Sequence, residues 1–140
     1  MSSQPRGRLL LATLVSGIVM NVFDGLVNGV LFLEAFRANA VRLGLDPAAA
    51  QSPLGLVTWV TLDFVFGFVL AWTYGVLRRS EAAGVATALK AAAVLYVPTT
   101  GVILGFGVLG MLTGSLLVKM AVSGLVDVAT GAVVAGKVYE

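Results

Sequence analysis

Apolar residues run through this chain in four long stretches, at roughly residues 9–36, 54–77, 83–112 and 116–139. Each is long enough for a helix to cross a bilayer, which takes about 20 residues. The breaks between them carry helix punctuation. Ser52-Pro53 reads as an N-cap followed by proline at the first helical position. Asp46-Pro47 reads the same way and predicts a short helical turn in the first loop. Arg78-Arg79-Ser80 closes the second stretch, with Ser80 placed to cap the third, and Gly114-Ser115 supplies a stop and then a cap for the fourth. The pattern predicts an all-α membrane protein: one domain, residues 1–140, made of four transmembrane helices in a small bundle.

Composition sharpens this. Hydrophobic residues make up 59% of the chain and charged residues 11%, against about 25% charged in ordinary soluble domains. The mean hydropathy is +0.99. A soluble domain this small must keep much of its surface polar, and this chain has too few polar residues to do so. Basic Arg6 and Arg8 precede the first stretch as they would a signal peptide. The apolar region, however, continues past Asp24 to Phe36, well beyond a signal core of about 7–15 residues. It reads as an uncleaved first span.

Orientation follows from the basic residues. Arg6, Arg8, Arg78, Arg79, Lys90 and Lys137 cluster at the N-terminus, the middle loop and the C-terminus. This bias places both termini in the cytoplasm and predicts a multi-pass protein of a bacterial inner (plasma) membrane. Trp59 falls at the outer end of the second span, and Trp72 and Tyr74 at its inner end, as aromatic-belt residues would. An Asp-x3-Gly-x3-Ala pattern occurs twice, as Asp63, Gly67, Ala71 and as Asp127, Gly131, Ala135. Gly25/Gly29 and Gly101/Gly105 repeat a Gly-x3-Gly. Together they suggest a parallel duplication of a helix hairpin.

The chemistry is narrow. With neither cysteine nor histidine, the chain has no thiolate metal site, no disulfide and no ordinary cysteine or histidine catalyst. Metal-ligand spacings, nucleotide-binding glycine loops and intramembrane protease motifs do not occur. Neither an enzymatic activity nor a cofactor is expected. The net charge of +2 falls at span ends rather than on a solvated basic face, which argues against nucleic acid as a partner.

What stands out is a set of polar residues inside the spans. Gly17, Asn21, Asp24 and Asn28 follow at steps of four, three and four, on one helix face. Asp24, Asp63 and Asp127 lie near the centres of three different spans. A charge at that depth costs about 2.5–3.5 kcal/mol on insertion scales, so such residues face the bundle interior or water and are functional candidates. In the third span Pro98 frees the carbonyl of Val94, and Thr99 and Thr100 are placed to repair the break. Pro98 reads either as a hinge beside a cavity or as an ordinary kink. Glu34 and Lys119 both fall toward the outer leaflet, where they could pair or each reach for water.

Two functions fit. In the first, the chain is a small transporter or channel-like subunit that binds a proton, cation or small polar substrate through Asp24, Asp63 and Asp127, assisted by Asn21, Asn28, Thr99 and Thr100. In the second, it is a structural or assembly subunit of a larger membrane complex, and the acids are interhelical hydrogen-bond glue. Four spans close poorly around a pathway. Besides the lipid bilayer, the expected partner is therefore a second copy or a larger membrane protein.

Overall fold

A computed structural model describes residues 6–140. It is all-helical, and four of its helices are long and apolar enough to cross a membrane. The chain runs through α1 (Arg6–Leu26), a π-helical segment (Val27–Leu31), α2 (Leu33–Arg42), α3 (Pro53–Leu77), α4 (Val85–Val108) and α5 (Gly114–Tyr139). The first apolar stretch, read as one span to Phe36, divides at Phe32. There the backbone leaves the helix at φ −105°, ψ 3°, and α2 begins as a separate element. The Phe32 amide closes the π turn by donating to the carbonyl of Val27 at 2.8 Å.

Local chemistry sets the other boundaries. Ser52 caps α3 through its hydroxyl, which accepts from the amide of Gly55 at 3.1 Å, and Pro53 occupies the first turn. Asp46 accepts from the amide of Ala48 at 2.9 Å and leads into a short 3-10 turn, Ala49–Gln51. Two caps differ from the sequence expectation. Helix α4 starts after Gly84 rather than at a Ser80 cap, because Gly84 takes φ +137°, open to glycine alone at little cost. Helix α5 is capped by Thr113, whose Oγ1 accepts from the amide of Leu116 at 3.3 Å, and the stop before it is Gly110 at φ +73°.

In the bundle α1 lies against α3 and α5, α4 against α5 and α3, and α3 and α5 meet across the middle. The helices touch most tightly where side chains are smallest. A Cβ on Gly67 would fall 2.9 Å from both the Gly17 amide nitrogen and the Thr13 carbonyl oxygen. This is close approach of helix backbones of the kind that drives association in lipid. Gly131 admits Met20, and Gly136 admits the ring of Tyr74.

Most of the core lies in the half of the bundle near the termini, where Ala12, Met20, Leu70, Ala71, Tyr74, Ala88, Ala91, Val128, Ala132 and Ala135 are buried. At the other end Leu116, in the first turn of α5, is buried as well. From Asn21 through Leu62 the one buried residue is Asn39, and residues 96–108 of α4 and 117–126 of α5 contribute none. Tyr74, placed by sequence in the aromatic belt, is a core residue. Its hydroxyl donates to Glu140 Oε1 and accepts from the amide of Gly84, and its ring meets Tyr139 edge-on at 5.8 Å. Trp59 and Trp72 are exposed. Arg8 donates to the backbone carbonyl of Glu140 at 2.8 Å, so the chain ends and the α3–α4 loop gather at one end of the bundle. At the other end α2 clasps the α4–α5 loop: Asn39 Nδ2 donates to the carbonyl of Met111 at 3.0 Å, and Arg42 to that of Gly110 at 2.9 Å.

Candidate functional site

The three intramembrane acids sit where the tight half of the bundle gives way to the open half. Asp63 on α3 and Asp127 on α5 are buried, at 4% and 5% exposure, and Asp24 on α1 is partly buried. Each is held at this level by the turn beneath it. On α1, Ser16, Met20, Asp24 and Asn28 follow at steps of four, and Ser16 Oγ donates to the carbonyl of Gly131 at 2.9 Å. On α3, Gly67 lies one turn below Asp63 and lets α1 approach. On α5, Gly131 lies one turn below Asp127 and receives the Met20 thioether. The three carboxylates are within electrostatic reach of one another: Asp63 feels Asp24, and Asp127 feels both. Among the described residues they do not close into a metal-ligating group.

Hydrogen-bond donors are scarce around them. Among the described residues, the one hydrogen bond to any of the three carboxylates runs from Asn28 Nδ2 to Asp24 Oδ1, at 2.9 Å. Among the same residues, Asp127 Oδ1 and Asn28 Oδ1 are buried with no hydrogen-bond partner. A buried acceptor left unpaired costs about 1–3 kcal/mol. Natural folds keep few such groups, and each one asks for a reason. The site is thus a surplus of acceptors: among the described residues, three carboxylates and an amide oxygen share the single donor that Asn28 Nδ2 gives to Asp24.

The other polar residues singled out by sequence have local roles. Asn21 Nδ2 donates to the Gly17 carbonyl at 2.9 Å and to the Val60 carbonyl of α3 at 3.3 Å, which links the helices. Thr99 Oγ1 donates to the carbonyls of Leu95 and Tyr96, at 2.9 and 3.0 Å, just before Pro98. Pro98 and Val94 lie on the exposed side of α4, and the helix continues through the proline. Thr100 is partly buried, and among the described residues no hydrogen bond joins it or Thr99 to the acids. Glu34 pairs with Arg37 at 2.8 Å, an exposed contact of little energy. Lys119 is placed otherwise: its ammonium lies 5.5 Å from the centroid of the Phe32 ring.

Three participants had weak signals or none in the sequence. Ser16 could have been found by extending the Asp24–Asn28 stripe two turns toward the N-terminus. Ser123 lies midway between Lys119 and Asp127 at steps of four, a spacing visible in the sequence. Phe32 had no signal, because its role depends on a π turn that composition does not announce. A cleft of about 120 Å³ at the terminal end, lined by Val85, Ala88, Val133, Gly136 and Lys137 among others, lies away from the acids. No family model, curated protein or solved structure matches the chain.

Proposed function

We propose that the chain is a small membrane transporter or channel-like subunit whose Asp24, Asp63 and Asp127 bind a proton, a cation or a small polar substrate. The observation that carries this reading is the unpartnered, buried Asp127 Oδ1 beside two further carboxylates. Like charges gathered in a low-dielectric region disfavour simultaneous ionisation, so bound protons or a cation must balance them. The scaffold reading needs each acid to hold a neighbouring donor. That task is done elsewhere, by Ser16 to Gly131 and by Asn21 to Val60.

The test is a pair of conservative substitutions in reconstituted vesicles. Asp63→Asn and Asp127→Asn keep size and hydrogen-bonding capacity and remove titration. Both variants should insert and assemble normally and lose pH- or cation-dependent flux. If they match the wild type across pH while alanine or leucine at the same positions disrupts assembly, the chain is a scaffold subunit.

The finer features belong to the same proposal. Basic residues at the termini and middle loop support cytoplasmic termini in a bacterial inner membrane. A cysteine at Ala49, in the loop between α2 and α3, should then be labelled from outside the cell; labelling from the cytoplasmic side alone would reverse the orientation. Two observations support a hairpin duplication relating α1–α3 to α4–α5. Asp63, Gly67 and Ala71 are buried in α3 as Asp127, Gly131 and Ala135 are in α5. Gly25, Gly29, Gly101 and Gly105 are all open, with nothing within 4 Å of an added Cβ. Those open glycines also suit close approach by a second copy or a larger membrane partner.

A further inference from the structure

Two polar stripes lead away from the acids toward the α2 end. On α5, Lys119, Ser123 and Asp127 follow at steps of four and share a helix face. On the first span, Asp24 and Asn28 are hydrogen-bonded to each other, and Phe32 follows four residues later at the bend. The stacking of the Lys119 ammonium over the Phe32 ring at 5.5 Å joins the far ends of the stripes. Helices α1 and α5 are neighbours along this line. The stripes therefore border one seam, about 12 Å long from Lys119 to Asp127 at the rise of an α-helix. The two unpartnered buried oxygens, of Asn28 and Asp127, belong to its sides.

The seam is open in one direction. Between the acids and the α2 end, α5 contributes no buried residue along 117–126, and α1 with its π-helical extension contributes none along 21–31. In the other direction the bundle is shut. Met20 is fully buried against Gly131 and Leu70, and Ser16, also fully buried, bridges α1 to α5 through its hydrogen bond.

We propose that the α1–α5 seam is the access route to the acids, open toward the α2 end and sealed toward the termini, with Lys119 and Phe32 forming its mouth. This rests on reading the acids as a proton or cation site. Phe32 holds the lysine charge at the mouth by cation–π attraction. That charge is the specificity-determining element of the route, because a fixed positive charge slows approaching metal cations and so biases the acids toward protons, which water can relay past it.

The chain contains no cysteine, so single cysteines report without background. Ser123→Cys probes the route, Ser16→Cys the seal, and Ala49→Cys marks the α2 face. Each is treated in sealed vesicles with membrane-impermeant cationic and anionic methanethiosulfonates, which react with hydrated thiolates. Ser123→Cys should react from the face that labels Ala49→Cys and be protected from the opposite face. Ser16→Cys should react from neither until the protein is denatured. Adding Lys119→Met to Ser123→Cys should raise the ratio of cationic to anionic labelling rates by about fivefold, the size expected for one nearby charge. Asp127→Asn in the Ser123→Cys background should leave the labelling one-sided. If flux ignores that substitution while labelling stays one-sided, the acid site is wrong and the route stands. Labelling of Ser123→Cys from the terminal face, its silence from both faces until denaturation, or a rate ratio indifferent to Lys119 would overturn the route.

Discussion

Gly17, Gly67, Gly131 and Gly136 lie in the half of the bundle nearer the termini, and a Cβ on any of them would collide with another helix. Gly25, Gly29, Gly101 and Gly105 lie in the other half, where a Cβ on any of them meets nothing within 4 Å. The same residue does opposite things in the two halves of the bundle. Lipid tails are as apolar as leucine, so membrane helices are held by close contact and interhelical hydrogen bonds more than by exclusion of water. Glycine in the terminal half converts directly into cohesion. In the α2 half Gly25, Gly29, Gly101 and Gly105 leave backbone uncovered, Gly107 alone of the α4 glycines admits a side chain of α5, that of Leu117, and the end is closed by the polar clasp of Asn39 and Arg42 on the α4–α5 loop. The acids stand at the border, where the clamp below fixes their positions and the looser half above gives them access.

The comparison breaks most readily at Gly67. A leucine there would press on the backbone of α1 at Gly17 and Thr13, which cannot move aside as a side chain could. Gly67→Leu should cost more than about 3 kcal/mol, the upper end for overpacking, and Gly101→Leu should be close to neutral. Unfolding of the reconstituted protein by denaturing detergent compares the two, and equal losses would erase the distinction between the halves. Next comes Leu70→Ala, which empties a fully buried position and should cost about 2 kcal/mol, the low end for such truncations. Leu54→Ala, at 77% exposure, should cost less than about 0.5 kcal/mol. A smaller loss than that of Leu70→Ala, about 0.6 kcal/mol, is expected for Ser16→Ala, which removes one interhelical hydrogen bond.

The smallest effect lies outside the spans, at Glu81. Its carboxylate accepts from Lys90 at 2.8 Å, and this hydrogen bond and charge hold its pKa below the ordinary glutamate value of 4.5. A depressed carboxylate pKa stabilises the fold above the unfolded value, and that stabilisation is lost as pH falls through the folded value. Glu81→Gln should therefore flatten a slight acid-side slope in stability below about pH 4.5, its small loss being present near neutrality and absent at low pH. A change in stability at pH 7 larger than that of Ser16→Ala would show that the α3–α4 loop contributes more to cohesion than the clamp contacts do.

The four spans were legible because a long apolar run is a local property, and Ser52-Pro53 marks its helix start with two adjacent residues. The polar stripe of α1 was legible for the same reason: helical spacing alone puts Asn21, Asp24 and Asn28 on one face. Features that depend on a neighbouring helix were not. Whether Tyr74 belongs to a belt or a core is decided by Gly136, 62 positions away, whose missing side chain makes the room. Pro98 and Thr99 suggested a cavity-lining break, but a single helix does not reveal its own rotation, and the proline side of α4 is exposed. The join at Phe32 was hidden most completely. "GLVNGVLF" is as apolar on both sides of the π turn as a continuous span would be.

That π turn has a consequence for how the chain tolerates length changes. A π turn is in effect one surplus residue absorbed by a helix, so in the segment Val27–Leu31 Phe32 still sits over the carbonyl of Val27, as a residue four positions on would in an α-helix. Deleting one residue within it would restore an ordinary α-helical turn there and leave Phe32 close to its present place beneath Lys119. The same deletion in the middle of α3, which has no such turn to resolve, would rotate the positions beyond it by about 100°. The first span thus carries a built-in tolerance of one residue that its neighbours lack.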